Sequence, residues 1–230
     1  MKIATHSLTF LSAVAITAFA GCATTHQEIG SADHPSAKAQ TKTEHQHGDA
    51  PADMPLPPGW TKADMDACMA AGTPGKQQAM LARAAGHWAG TSTMWMAPDT
   101  QPTTSQTTAN ISTIMDGRYT KCEFSGDMGM GPFQGLGFNG FDNVSQKYVS
   151  TWIDTMSTGI MVGDGVMSAD GNTFTWTYHF NCPIQKKPTT MREVQHFASD
   201  NAMTLDMYGD EPHTGKEYKM MHIEMTRQSP

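Results

Sequence analysis

The chain has 230 residues, a formal net charge of −7 and 38% apolar residues. That length suits a single domain with accessory segments. An acidic balance without any basic run argues against nucleic acid as a partner. After the leader, no stretch is apolar enough to span a bilayer as a helix.

The first element is a leader. Lys2 precedes an apolar stretch over residues 8–20, interrupted only by small polar residues such as Ser12 and Thr17. It is shorter than the roughly 20 residues of a spanning helix and ends in small residues, as a secretory signal does. The end reads Phe19-Ala20-Gly21-Cys22, which resembles a bacterial lipobox with Phe19 where Leu is usual. The expectation is a signal peptide over residues 1–21 and a diacylglycerol on Cys22, whose acyl chains hold the protein to the membrane outside the cytoplasm. Ala23 rather than Asp after the cysteine fits an outer-membrane protein facing the periplasm. The plainer alternative is an ordinary secretory peptide that leaves Cys22 a thiol.

Residues 22–59 form the next unit, dominated by Ala, Thr, Ser, Gln, Asp and Pro. Too little apolar surface is available there to offset ordering entropy, so a disordered tether is expected, with a reach of about 35 Å. His26, His34, His45 and His47 fall in it. Only the His45-x-His47 pair is close in sequence, and a solvated polar linker accounts for it as well as weak metal capture does.

Residues 60–86 read as helical and are expected to pack on the strand-rich remainder of the chain. Thr61 can cap a helix through Ala71, with Asp64 and Asp66 near its positive end. Gly72-Thr73-Pro74-Gly75 breaks the chain, and residues 76–85 place Met80, Leu81 and Ala84 on one side before Gly86 stops the second helix.

From residue 87 to 230 the chain reads as strands. Segments rich in Thr, Val, Ile, Phe, Tyr and Trp alternate with turn chemistry such as Asp116-Gly117, Asp142-Asn143 and Ala169-Asp170-Gly171-Asn172. Counting segments between turns predicts roughly ten strands in an antiparallel meander. That many strands in one small sheet curl and close, which removes exposed edges. The fold class expected is mainly β, a closed barrel preceded by two short helices.

Gly86-His87-Trp88 opens the first strand and Arg227 closes the last. A Gly-x-Trp at one end of the sheet and an arginine at the other resembles the lipocalin and fatty-acid-binding-protein superfamily. That likeness implies a guanidinium stacked on the Trp88 indole, sealing one end of the barrel, a cation–π contact of about 0.5–2 kcal/mol.

A narrower resemblance rests on a run of motifs: Met115-Asp116-Gly117-Arg118-Tyr119, Pro132-Phe133-Gln134-Gly135-Leu136-Gly137, Gly140-Phe141-Asp142-Asn143, and Lys147-Tyr148-Val149-Ser150-Thr151-Trp152-Ile153-Asp154 continuing to Met161. Together with Gly72-Thr73-Pro74-Gly75 and Met225-Thr226-Arg227, these resemble the bacterial family called domain of unknown function 1579, over residues 65–228. The resemblance implies the fold and carries no activity.

Catalytic motifs are missing: the chain has no Gly-x-Ser-x-Gly, His-Glu-x-x-His or phosphate-cradling glycine loop. Gly135, Gly137 and Gly140 sit within a strand pattern, where they relieve barrel curvature. No catalytic residue, metal ligand or cofactor is predicted. The most informative stretch is residues 148–154, where alternation puts Tyr148, Ser150, Trp152 and Asp154 on one face and Val149, Thr151 and Ile153 on the other. If the first set faces inward it lines a binding site; if the second does, the barrel is packed solid. An inward row has to supply Asp154 with a donor, Arg118 or Arg192 being the candidates, or leave it in an open cavity. Trp152 and Asp154 should then point into a concavity of roughly 300 Å³ or more.

The leading expectation is a membrane-tethered binding module for a small, partly apolar ligand. An inward Arg192 would suit an anionic head group. The alternatives are an enzyme using Asp154 or Glu123 beside Arg118 or Arg192, a metal or haem protein using His179, His196 or His222, and an interaction module with a filled barrel. The 19 methionines suit an adaptable apolar interior and also copper(I). Three cysteines remain beyond the anchor, Cys68, Cys122 and Cys182. Two of them could pair, and neither the pairing nor the oligomeric state is readable from the sequence.

Overall fold

The computed structural model describes residues 55–127 and 131–229. The signal peptide, Cys22, the four tether histidines, Met128 and Met130 lie outside the described residues. Two helices come first, α1 (Lys62–Gly72) and α2 (Lys76–Ala82). Ten strands follow: β1 (Gly86–Met94), β2 (Thr103–Ile114), β3 (Tyr119–Asp127), β4 (Pro132–Asp142), β5 (Lys147–Asp154), β6 (Met161–Met167), β7 (Thr173–Cys182), β8 (Lys187–Ser199), β9 (Ala202–Asp210) and β10 (Glu217–Arg227). Each strand pairs antiparallel with its neighbour in sequence, and β10 pairs with β1 to close the barrel. The expected meander is the observed one. No described helix is long and apolar enough to cross a membrane.

The two helices differ in how they meet the barrel. Thr61 caps α1 as expected: its hydroxyl accepts from the Asp64 amide at 3.2 Å, while the Asp64 carboxylate accepts from the Thr61 amide at 2.8 Å. Yet α1 contains no buried residue. It is held at its C-terminal end, where Asn143 Nδ2 donates to the carbonyls of Ala70, Ala71 and Thr73 at 2.8–3.2 Å. Helix α2 ends at Ala82 rather than residue 85 and does pack, burying Gln78 and Leu81. Gln78 Nε2 donates to the Phe141 carbonyl at 3.1 Å and to Asn143 Oδ1 at 3.0 Å, fixing α2 against the β4–β5 turn.

The closing contact is present. Trp88 and Arg227 are cross-strand partners, with the guanidinium carbon 4.2 Å from the indole centroid. Trp88 is 1% exposed, and its Nε1 donates to the Ala84 carbonyl at 2.8 Å. Arg227 Nε donates to the Asp200 carbonyl at 2.8 Å, Nη2 to that of Arg83 at 2.9 Å, and Nη1 to that of Ala85. The guanidinium thereby stitches the α2–β1 connection and the β8–β9 turn over one end of the barrel. Gly86 is required there: its φ is +145°, and a Cβ would stand 2.3 Å from Arg227 Nη1.

Strand alternation sorts the remaining side chains. On β5, Tyr148 and Ser150 are buried while Val149 and Ile153 are exposed, so the row with the hydroxyl and the carboxylate faces inward. A β-bulge at Met220, between Lys219 and Met221, breaks the β9–β10 register. It brings two consecutive methionines, Met220 and Met221, to the interior wall, which strict alternation would forbid.

Candidate ligand-binding cavity

The barrel interior is not filled. It holds a cavity of about 230 Å³, somewhat below the 300 Å³ anticipated, with Leu81 and Ala84 at the α2 end and Asp154 and Met161 where β5 turns into β6. Its volume matches roughly eight liquid waters at ~30 Å³ each. Seven methionines line it, five of them on β9 and β10 across the barrel from Phe133 on β4 and Trp152 on β5, while Phe174, Trp176 and Tyr178 stand on β7 between the strands of Met161 and Met191. The thioethers of β9 and β10 thus face the rings of β4 and β5, and that pair of sides differs in how far it adapts.

Trp152 owes its position to β4. The indole lies across Gly135 and Gly137, whose added Cβ atoms would stand 2.1 Å and 2.9 Å from its ring carbons. Beyond any relief of barrel curvature, these glycines therefore form a shelf for the ring. Trp152 Nε1 donates to Asp154 Oδ2 at 3.0 Å, and the Met156 amide donates to Oδ1 at 2.9 Å. Asp154 thus finds its donors in its own strand and turn rather than in an arginine.

Below it, Ser150 and Tyr178 share a buried hydrogen bond of 2.9 Å. Burial, reinforced by the charge of Glu193, raises the Tyr178 pKa far beyond the usual phenol range. Burial, with smaller effects from Glu193 and Glu123, pushes the Cys122 thiol up to about 12. Glu193 is the second carboxylate of the lining, after Asp154. It is 9% exposed, and burial lifts its pKa from 4.5 to about 7. Asn139 and Gln195 complete the polar lining.

Residues 73–227 match the family described as Protein of unknown function (DUF1579). The chain belongs to that family. The match begins just after α1, so the family unit is α2 with the barrel. Among curated proteins none matches this chain. Among solved structures, it is similar to the S-type phycobiliprotein lyase CPES from Guillardia theta at 12% identity and a TM-score of 0.48, over 69% of this chain and 96% of that one.

Of the residues singled out in the sequence, Ser150, Trp152 and Asp154 meet at the cavity wall. Tyr148 points inward but packs beneath it, edge-on to Phe141, Phe174 and Trp176. The two arginines do not join them, and this corrects the expectation of an inward cation. Arg118 sits in the β2–β3 turn near Asp116, donating to the Met115 carbonyl at 3.1 Å. Arg192 faces outward on β8, paired with Glu217 at 3.1 Å and stacked 4.0 Å over the Tyr208 ring. Glu123 also faces out, 3.0 Å from Lys121, which removes it as a cavity acid.

None of His179, His196 or His222 lines the cavity. His222 instead bridges Asp206 at 2.6 Å and Glu224 at 3.2 Å on the outer face. Among the described residues no group of three or more His, Cys, Asp or Glu is placed to hold a metal ion. Cys68, Cys122 and Cys182 are all unpaired thiols, so the disulfide left open by the sequence is not formed. Sequence reasoning missed Glu193 and Gln195, although a signal exists. Met191, Glu193, Gln195 and Phe197 share one face of β8, and the two apolar residues mark that face as interior.

Proposed function

We propose that this protein is a binding module, tethered outside the cytoplasm by a lipid on Cys22, whose barrel takes up a small, partly apolar ligand. The observation that carries the binding reading is the cavity itself: an unfilled interior lined by methionines and aromatic rings, with Glu193, Asn139 and Gln195 spaced among them. A few convergent polar groups in an apolar concavity are what orient a small molecule. Native mass spectrometry of the purified protein, with its absorption spectrum, tests this. A retained small molecule, or saturable quenching of tryptophan emission by an apolar dye, is expected. A barrel that comes out empty and takes up no dye overturns the reading.

Glu193 favours one second reading, in which a carboxyl poised near neutrality acts as general acid or base. The other titratable groups of the lining are not set up to work with it: burial holds Cys122 and Tyr178 in their neutral forms, and Asp154 is taken up by Trp152 Nε1 and the Met156 amide. Binding without turnover is therefore the better account.

The tether rests on Phe19-Ala20-Gly21-Cys22. Cys22→Ser should leave unprocessed precursor or release the protein into the aqueous phase on detergent partitioning. Membrane retention equal to wild type would remove the lipid from the proposal.

A further inference from the structure

The charge lining the cavity has one sign. Asp154 and Glu193 are the ionisable carboxylates among its lining residues, and no Lys, Arg or His joins them. Asp154 already accepts two hydrogen bonds. Glu193 is different: among the described residues nothing donates to its carboxylate, and burial raises its pKa. The chain does supply cations to a carboxylate elsewhere. Asp206, on the outer face, meets Lys219 at 2.8 Å and His222 at 2.6 Å. Arg192, next to Glu193 in sequence, points away to Glu217. A buried charge without a partner costs several kcal/mol, and a perturbed acid in a cavity marks a candidate site.

Resting on the reading of the cavity as a binding site, the geometry points to a ligand that brings the missing cation: a small amphiphilic amine, with its ammonium against Glu193 and its apolar body among the methionines and rings. An anionic ligand of the same size meets two carboxylates and no counter-charge. A neutral ligand can hydrogen-bond Glu193 but brings no charge to balance its ionised form. Binding of the amine should also weaken as the pH falls from 8 to 6, because protons then compete for Glu193. The titratable groups that share the cavity with Glu193 are Tyr178 on the neighbouring β7, Cys122 of β3 and Asp154 of β5; β9 and β10 contribute only Leu, Ile and Met. Tyr178 and Cys122 stay neutral throughout that range.

Hexylamine, hexanol and hexanoate form an isosteric series that tests this by calorimetry on the wild type and on Glu193→Gln, with circular dichroism to confirm folding. Hexylamine is expected to bind about tenfold or more tightly than hexanol, and hexanoate most weakly. In Glu193→Gln the amine should fall to the level of the alcohol and lose its pH dependence, while hexanol binding stays as it was. Equal binding of amine and alcohol by the wild type, or an amine affinity untouched by Glu193→Gln, overturns the amine while leaving a binding cavity in place. If none of the three binds, both the amine and the small-ligand reading of the cavity fail.

Discussion

Replacing Glu193 with Gln should flatten the pH dependence of folding stability between pH 5 and pH 7.5. The group's pKa is about 7 in the folded barrel against 4.5 outside it. The folded state therefore holds a proton that the unfolded chain has released across that interval, and stability falls as the pH rises. The penalty is absent below about pH 4.5 and complete above about pH 7. A shift of this size corresponds to about 3 kcal/mol. Carboxylates whose pKa is lowered by hydrogen bonds, such as Asp142 and Asp170, act with the opposite sign and only toward lower pH. Because they are common to both proteins, the difference between wild type and Glu193→Gln isolates the one group. Urea denaturation at a series of pH values reads it directly. A difference curve that is level from pH 5 to 7.5 means that Glu193 titrates as a solvated carboxylate.

Trp88→Ala should lose about 3–5 kcal/mol, the range for removing a buried aromatic side chain. The indole is 1% exposed and its Nε1 holds the Ala84 carbonyl, so the change empties the sealed end and frees a backbone acceptor. Arg227→Ala should cost less, about 1–3 kcal/mol, since the three carbonyls it serves can turn to water. The double variant should fall short of the sum by about 0.5–2 kcal/mol, because each single change already destroys the stacked pair. Additivity within error would show that the 4.2 Å stack carries no coupling.

The residues behind these two predictions are not equally visible in the sequence. Trp88 and Arg227 announce themselves by position, a Gly-x-Trp at the first strand and an arginine at the last, and any closed meander must bring the ends of β1 and β10 together. The strand count is readable for the same local reason, from turns rich in Gly, Asp and Asn. Where a turn lacks them it is hard to see: between β7 and β8 the residue at positive φ is Lys186, at 52°. The interior is harder. Alternation has a period of two but no sign, so β5 by itself allows either face to point inward. On β8 the apolar pair Met191 and Phe197 fixes the sign, which puts Glu193 inside and Arg192 outside. The pattern is legible there, but a charge next to a charge draws the eye to the wrong one. The Met220 bulge and the loose docking of α1 leave no local signature, since both depend on what the rest of the fold presents to them.

The indole shelf on Gly135 and Gly137 has a consequence for affinity. Trp152 is clamped twice, by the glycine backbone beneath its ring and by Asp154 on its Nε1. Its rotamer is settled before any ligand arrives. A molecule that lies against it need not freeze a mobile side chain, an ordering step that otherwise withdraws about 0.5–1.5 kcal/mol from association. On the methionine side Met203 Sδ accepts from Gln195 Nε2 at 3.5 Å and Met220 Sδ lies against Gly209, while the other thioethers carry no such restraint and are ordered anew for each occupant. Discrimination by shape therefore belongs to the ring side of the cavity, and tolerance of varied shapes to the sulfur side.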